Sequence, residues 1–245
     1  MELSVKEINK QNFVEGLRDG LPIGLGYFAV AFSLGIAAKN AGLDVFQGIL
    51  ASLLTNASAG EYAAFIVIAE NAPYFQMVLM TLISNGRYML MSLALNQKVS
   101  PETPIRSRLL IGFDVTDELF AISINRKDYL NPKYFYGAMI TTIPLWALGT
   151  ACGIIAGSVL SKSIVSALSV ALYGMFIAVF VPQVKKDRII GVLIITCFLF
   201  SYLFTIIPVL STISVGTKTI ILTILISSLA ALICPIKRKS ENQNE

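Results

Sequence analysis

Three stretches of this sequence put ionisable side chains inside otherwise apolar runs. "TLISNGRYMLMSL" (81–93) sits in the middle of the apolar run 73–97 and carries Asn85, Gly86 and Arg87 at its centre. "TNASAGE" (55–61) interrupts the run 45–69 with Asn56, Ser58, Gly60 and Glu61. "RLLIGFDVTDELFAISI" (108–124) carries Asp114, Thr116, Asp117 and Glu118 inside a largely apolar run. A charged side chain at the centre of a bilayer costs at least about 2.5–3.5 kcal/mol, so such residues need partners and commonly mark a ligand or ion pathway. Arg87 and Glu61 lie at similar depth in adjacent segments. Either they form a fixed ion pair that holds the two segments together, or one or both meet a ligand or a proton. A guanidinium can grip a carboxylate through two parallel bonds. The free N–H groups of a half-helix can do the same. Acids suit an ammonium group, and apolar walls suit an aliphatic side chain. Together these describe a site for an apolar amino acid zwitterion, although another small anion or zwitterion would use the same groups. Tyr27, in "GLPIGLGYFAVAF" (20–32), adds a phenol from the first apolar run.

These residues need a membrane to make sense. The chain has 245 residues, of which 55% are hydrophobic and only 14% charged, with a mean hydropathy of +0.72. Soluble domains carry about 25% charged residues. The charge falls in short blocks between apolar segments at 21–38, 45–69, 73–97, 134–157, 164–181, 189–207 and 213–234, which is the pattern of a polytopic helical membrane protein. The net charge of +4 forms no continuous basic stripe and gives no sign of nucleic-acid binding. There is no histidine, which removes imidazole catalysis, imidazole metal ligands and histidine proton relays. The cysteines Cys152, Cys197 and Cys234 form no C-x-x-C pair, and "VGTKT" (215–219) lacks the upstream glycine of a phosphate loop; no cofactor, metal or ATP motor is implied. Residues 4–19 can place Val5, Ile8, Phe13 and Leu17 on one side of a short interfacial helix. The chain therefore divides into an N-terminal interfacial segment (1–19), one transmembrane domain (20–235) and a tail (236–245).

Basic residues orient the spans. Lys6, Lys10 and Arg18, then Lys98, Arg106, Arg108, Arg126, Lys127 and Lys133, then Lys185, Lys186 and Arg188, and finally Lys237, Arg238 and Lys239 belong in the cytoplasm by the positive-inside rule. Both termini are then cytoplasmic, in a multi-pass protein of the cell membrane. Three apolar segments lie between an inside N-terminus and an inside residue 98, where three full crossings would end outside. One segment must return to the side it entered from. Residues 45–69 fit best: two arms of about ten residues, each rising about 15 Å or half the hydrocarbon thickness, flank the polar string. The expectation is about six full spans plus one re-entrant or broken helix near Asn56–Gly60, with a second break at Gly86. Residues 108–124 are either a solvated loop helix or a segment that folds back to cap the cavity. G-x-x-x-G-x-x-x-G at 149–157 is a close-approach face, for packing within the chain or against a second copy. At an offset of 122 residues Pro22 meets Pro144, Gly35 meets Gly157 and Glu61 meets Gln183. This thin trace of duplication, a feature of many secondary transporters, adds Gln183 to Asp114, Thr116, Asp117 and Glu118 as a candidate for gating or coupling.

Read in order, "GLPIGLGYFAVAFSLG" (20–35), "LTNASAGEYAA" (54–64), "NGRYMLMSLAL" (85–95), "GFDVTDELFAI" (112–122), "WALGTACGIIAG" (146–157) and "FIAVFVPQVKK" (176–186) resemble the successive motifs of the AzlC family of branched-chain amino acid exporters. Each string is weak alone; their colinearity over residues 15–235 carries the resemblance. It implies a secondary exporter of branched-chain or related hydrophobic amino acids, a substrate site at Tyr27, Asn56, Ser58, Gly60, Glu61, Asn85 and Arg87, and a small hydrophobic partner of the AzlD type. Where many members have glutamine this chain has Glu61, which invites proton involvement. The rival readings are an ion channel or ion-coupled transporter of another small solute, an intramembrane enzyme, for which the spans offer no Ser/Lys or paired-Asp signature, and a structural subunit inactive without its partner.

Overall fold

The computed structural model describes residues 4–126, 128–161, 163–164, 177, 181, 184–185, 188–211, 213 and 215–233. The described secondary structure is helical and falls into two compact units, residues 1–176 and 177–245. In the first unit α1 (Val5–Asn40) opens on a capping box in which Ser4 and Glu7 bond each other's backbone N–H groups. The interfacial helix expected over 4–19 is thus continuous with the first span. Pro22 sits inside α1 without ending it. A turn through Gly42, at φ +88°, leads to α2 (Val45–Thr55), capped reciprocally by Asp44 and Gln47. Asn56 ends α2 in the left-handed conformation, φ +42°, and Ala57 is extended. Asparagine tolerates that conformation better than most residues, which is why the break falls here. Then come α3 (Ser58–Ala69), α4 (Tyr74–Lys98), α5 (Ile105–Phe113), α6 (Asp117–Ile124) and α7 (Pro132–Val159).

The first unit is built on α1 and α7. A Cβ added at Gly16 would strike the backbone of Tyr134, at Gly20 that of Ala138, at Gly149 that of Phe28, and at Gly153 that of Phe32. The numbers rise together on both helices, so α1 and α7 run parallel, in backbone contact over most of their length. Only small residues permit this approach, and in a bilayer such close packing is a main source of helix association. The 149–157 glycine face is therefore spent within the chain.

Two interrupted hairpins fill the space beside this pair, and they enter from opposite ends. Asn131 Nδ2 donates to Asn9 Oδ1 and Leu130 N–H to the Lys98 carbonyl, so α4 ends where α1 and α7 begin. At 1.5 Å per residue, 25 residues carry α4 about 37 Å to the opposite end. The short connection 70–73 then puts the end of α3 there too. Since α2 starts just after α1 finishes, the α2–α3 hairpin enters and leaves at that same opposite end. Its interruption points inward: Gly60 packs on Asn85, midway along α4. The α5–α6 hairpin is the reverse. Near its start Arg108 donates to the Ser100 and Thr103 carbonyls and to Asn96. After its end Arg126 pairs with Glu15 at 2.8 Å. Its interruption, Asp114–Thr116, reaches Tyr27 on α1. Residues 45–69 are re-entrant, as the charge parity requires, and residues 108–124 fold back into the protein in the same way.

The second break expected at Gly86 does not form. α4 is continuous over 25 residues, because its i→i+4 ladder is intact and Gly86 meets open space; a glycine alone weakens a helix by about 1 kcal/mol and does not end it. The second unit contains α8 (Arg188–Ile206), the short α9 (Pro208–Ser211) and α10 (Val215–Ile233). Its α8 and α10 pack around an apolar cavity of about 420 Å³. Among the described residues α1, α4, α7 and α8 are long and apolar enough to cross a membrane, with residues 217–233 a shorter apolar helix. The expected span 164–181 and Gln183 lie largely or wholly outside the described residues.

Opposed hairpins make a sidedness prediction. With the native cysteines replaced, single cysteines at Asn71 and Ser100 will react with an impermeant thiol reagent from opposite faces of sealed vesicles. Cysteines at Ala41 and Asn71 will react from the same face. Labelling of Ala41→Cys and Asn71→Cys from opposite faces would mean that the α2–α3 hairpin crosses.

Candidate functional site

At the first interruption, Glu61 is fully buried. Its carboxylate accepts from Ser52 Oγ at 2.6 Å and from Trp146 Nε1 at 2.8 Å, and Ser52 also bonds Thr150 Oγ1 at 2.7 Å. Two hairpin arms and α7 are thereby tied through one carboxylate. The expected partner, Arg87, is elsewhere. Arg87 Nη2 meets Asp117 Oδ2 at 2.7 Å, and its guanidinium lies 5.1 Å from the Tyr88 ring centroid. The Glu61–Arg87 pair therefore does not form, for a geometric reason: the side chain of Glu61 turns towards α2 and α7, while Arg87 faces the tip of the α5–α6 hairpin. Neither side chain of the Arg87–Asp117 pair is sealed, at 42% and 44% exposed, so the guanidinium stays within reach of a ligand.

At the second interruption, Thr116 caps α6 by accepting from Leu119 N–H. The Tyr27 hydroxyl donates to Glu118 Oε2 at 2.7 Å and is in hydrogen-bond contact with Thr116 Oγ1. Tyr27 then packs edge-to-face on Trp146, centroids 5.3 Å apart. One chain of contacts thus runs from Glu61 through Trp146 and Tyr27 to Thr116 and Glu118, linking the tips of two hairpins that enter from opposite ends.

Between the tips several polar atoms have no protein partner. Asn56 Nδ2, Asn85 Oδ1 and both oxygens of Asp114 are buried without a hydrogen bond among the described residues. Such atoms are rare, and each calls for an explanation. No side chain caps the first turn of α3 at Ser58, Ala59 and Gly60, so its N–H groups and the half-helix dipole point at the same region as Asn56. A cavity of about 670 Å³ between α4 and α5 extends from Asn85 and Val115 to Asn96 and Arg108, with mostly apolar walls. The structure therefore brings Asn56, Ser58, Gly60 and Asn85 together beside one interruption and Tyr27, Arg87, Thr116, Asp117 and Glu118 beside the other. Glu61 is set back in its own network. Sequence reasoning missed Ser52, Trp146 and Thr150. The visible trace of two of them was Thr142, Trp146 and Thr150, polar or aromatic at four-residue spacing on one face of α7.

Comparison with known proteins gives the family. Residues 22–160 match the family described as AzlC protein. An uncharacterized membrane protein of Archaeoglobus fulgidus is 30% identical over 179 residues, covering 72% of this chain and 78% of its own. The chain belongs to the AzlC family. A further relative, the inner membrane protein YgaZ of Escherichia coli, is 23% identical over 72% of this chain and 75% of its own. No solved structure matches. Residues 22–160 take in α2–α7 whole and the second half of α1, so the matched region holds both interrupted hairpins and the parallel contact of α7 with the later part of α1. Membership supports a role in membrane transport and places the protein in a membrane.

The Glu61 network makes a stability prediction. Glu61→Leu orphans the Trp146 N–H in the interior, at about 1–3 kcal/mol, and leaves the Ser52 hydroxyl with Thr150 alone. Its melting temperature in detergent will fall by several degrees. Glu61→Gln keeps an acceptor for Trp146 and will melt close to the parent protein. Equal melting of the leucine and glutamine variants would mean that the network contributes nothing.

Proposed function

We propose that the protein is a secondary transporter that exports branched-chain or related hydrophobic amino acids across the cytoplasmic membrane. The observation that carries this reading is the meeting of two interrupted helices inside one helical unit, with unpartnered buried donors and acceptors between them. Irregular backbone at membrane depth is tolerated only where it is buried in protein or lines a cavity, and transporters use such breaks for substrate. The uncapped first turn of α3, Asn56 Nδ2 and the guanidinium of Arg87 suit a carboxylate. Asn85 Oδ1 suits an ammonium group, and the apolar walls between α4 and α5 suit an aliphatic side chain. Lys98, Arg108, Arg126 and Lys133 gather at the end where α1 and α7 begin, so the positive-inside rule makes that end cytoplasmic. The cavity runs from that end to the tips, which is the side from which an exported solute is loaded. A small AzlD-type subunit completes the transporter.

Arg87 gives the sharpest test. Its ion pair with Asp117 uses one nitrogen, which lysine can replace, whereas the planar fork that grips a carboxylate cannot be replaced. Arg87→Lys, reconstituted with an AzlD-type partner, will keep its fold and lose at least about tenfold of saturable, stereoselective leucine or valine flux, an effect of about 1.4 kcal/mol or more. The leucine-induced rise in melting temperature will fall with it. Parental flux and parental ligand shift in Arg87→Lys would make the arginine a structural charge.

A further inference from the structure

The carboxyl group of Asp114 is the least satisfied polar group in the described structure. Asp114 is 1% exposed, and neither oxygen has a hydrogen-bond partner among the described residues. It sits at the interruption between α5 and α6, where an N–H or hydroxyl donor would be expected, yet the cap of α6 is supplied by Thr116. The contrast with Glu61 is chemical. Glu61 is equally buried and is met by donors from Ser52 and Trp146, the environment of a carboxylate held in place. An ionised carboxylate with no donor in an apolar interior costs several kcal/mol. Such a group is tolerated when a proton or a small cation occupies it.

Among the described residues the surroundings supply no fixed countercharge. From α1 the facing titratable group is Tyr27, whose hydroxyl is committed to Glu118 and Thr116. From α4 there are Arg87, paired with Asp117, and Tyr88. From α6 there are Asp117 and Glu118 themselves. Tyr134 of α7 lies beside Gly16, about three turns of α1 away from Tyr27, where it donates to Asp19 at 2.7 Å and carries Arg126 over its ring. Ile111, Val115 and Leu119 pack around the interruption in one apolar cluster. There is also a way in: Gly112 and Val115, two residues before Asp114 and one after, line the cavity that runs out past Asn96 and Arg108.

We propose that Asp114 is the coupling site of the transporter, where a monovalent cation, a proton or a sodium ion, binds and is released during the transport cycle. This rests on the transport reading above and goes beyond it: Glu61 is an anchor between the hairpin and α7, and the coupling acid lies on the opposite hairpin. Loss or gain of one charge at the tip of α5–α6 then acts directly on Thr116, Asp117 and Glu118, the residues that hold Tyr27 and Arg87. Cation binding and substrate binding are thereby linked through adjacent residues of one interruption.

Two measurements on the full-length protein in liposomes test this. The first compares labelled-leucine counterflow, which needs no coupling, with accumulation driven by an imposed pH gradient or an imposed sodium gradient. Asp114→Asn will keep counterflow within about twofold and lose at least about tenfold of gradient-driven accumulation; the gradient that drives the parent protein identifies the cation. Retained gradient-driven accumulation in Asp114→Asn, or loss of counterflow as well in a variant that melts like the parent, overturns the proposal. The second needs no substrate. The infrared difference between parent and Asp114→Asn will show either a neutral carboxyl carbonyl band at pH 7 that disappears on alkaline titration, or a carboxylate band that responds to sodium. A carboxylate indifferent to both pH and sodium overturns the proposal even where leucine is not the substrate. Absence of parental counterflow with every hydrophobic amino acid, beside a responsive carboxyl band, would instead sink the amino-acid reading and leave the coupling site standing.

Discussion

A helix interrupted inside hydrocarbon exposes N–H and C=O groups that lipid cannot satisfy, and each costs several kcal/mol if left bare. Residues 4–160 are arranged around two such interruptions. The glycine-lined contact of α1 with α7 supplies the wall against which both can lie. Because that contact is backbone on backbone, it fixes the depth of Tyr27 relative to Trp146 with little freedom, and the edge-to-face contact of those two rings fixes the distance between the hairpin tips. The polar network is then attached to rigid elements: Glu61 to α2 and α7, Thr116 and Glu118 to α1, Asp117 to α4.

This arrangement separates charges by role. Glu61 is fully buried and held by donors from Ser52 and Trp146. Arg87 and Asp117 are paired yet open, so a carboxylate can compete for the guanidinium. Asp114 has no hydrogen-bond partner among the described residues. Three acids of the same apparent type in the sequence, all within apolar runs, thus differ in what they can do, and the difference comes from which donors the fold places beside each. The two hairpins also differ at their tips: one presents an uncapped helix N-terminus beside Asn56, which is electropositive, and the other presents Asp114, Asp117 and Glu118.

Much of this was legible in the residues. The polar string at 55–61 and the charge parity located the first re-entrant hairpin, because a break needs small and capping residues and because basic residues do not cross. The interruption falls at Asn56–Ala57, the start of the predicted interval. The apolar length of 21–38 and 73–97 gave α1 and α4 as spans. The rest was not legible because it depends on direction as well as position. Glu61 and Arg87 share a depth, but the sequence does not say that Glu61 turns towards Trp146, some 85 residues on. Gly86 read as a break because glycine often is one, although a single glycine costs less than the ladder it sits in. The fate of the 149–157 glycines needed the partner helix, since a close-approach face looks the same whether it meets α1 or a second copy.

The central claim is that one solute lies between the two tips. Ser58→Cys, in the uncapped first turn of α3, and Gly112→Cys, where an added side chain meets open space beside the α5–α6 interruption, probe the two sides of that gap. With a small thiol reagent the account predicts that both cysteines react in the transporter without substrate, and that L-leucine or L-valine slows both while D-leucine slows neither. Reaction at either position that is indifferent to substrate, in protein that still transports, would contradict a site shared by the two hairpins.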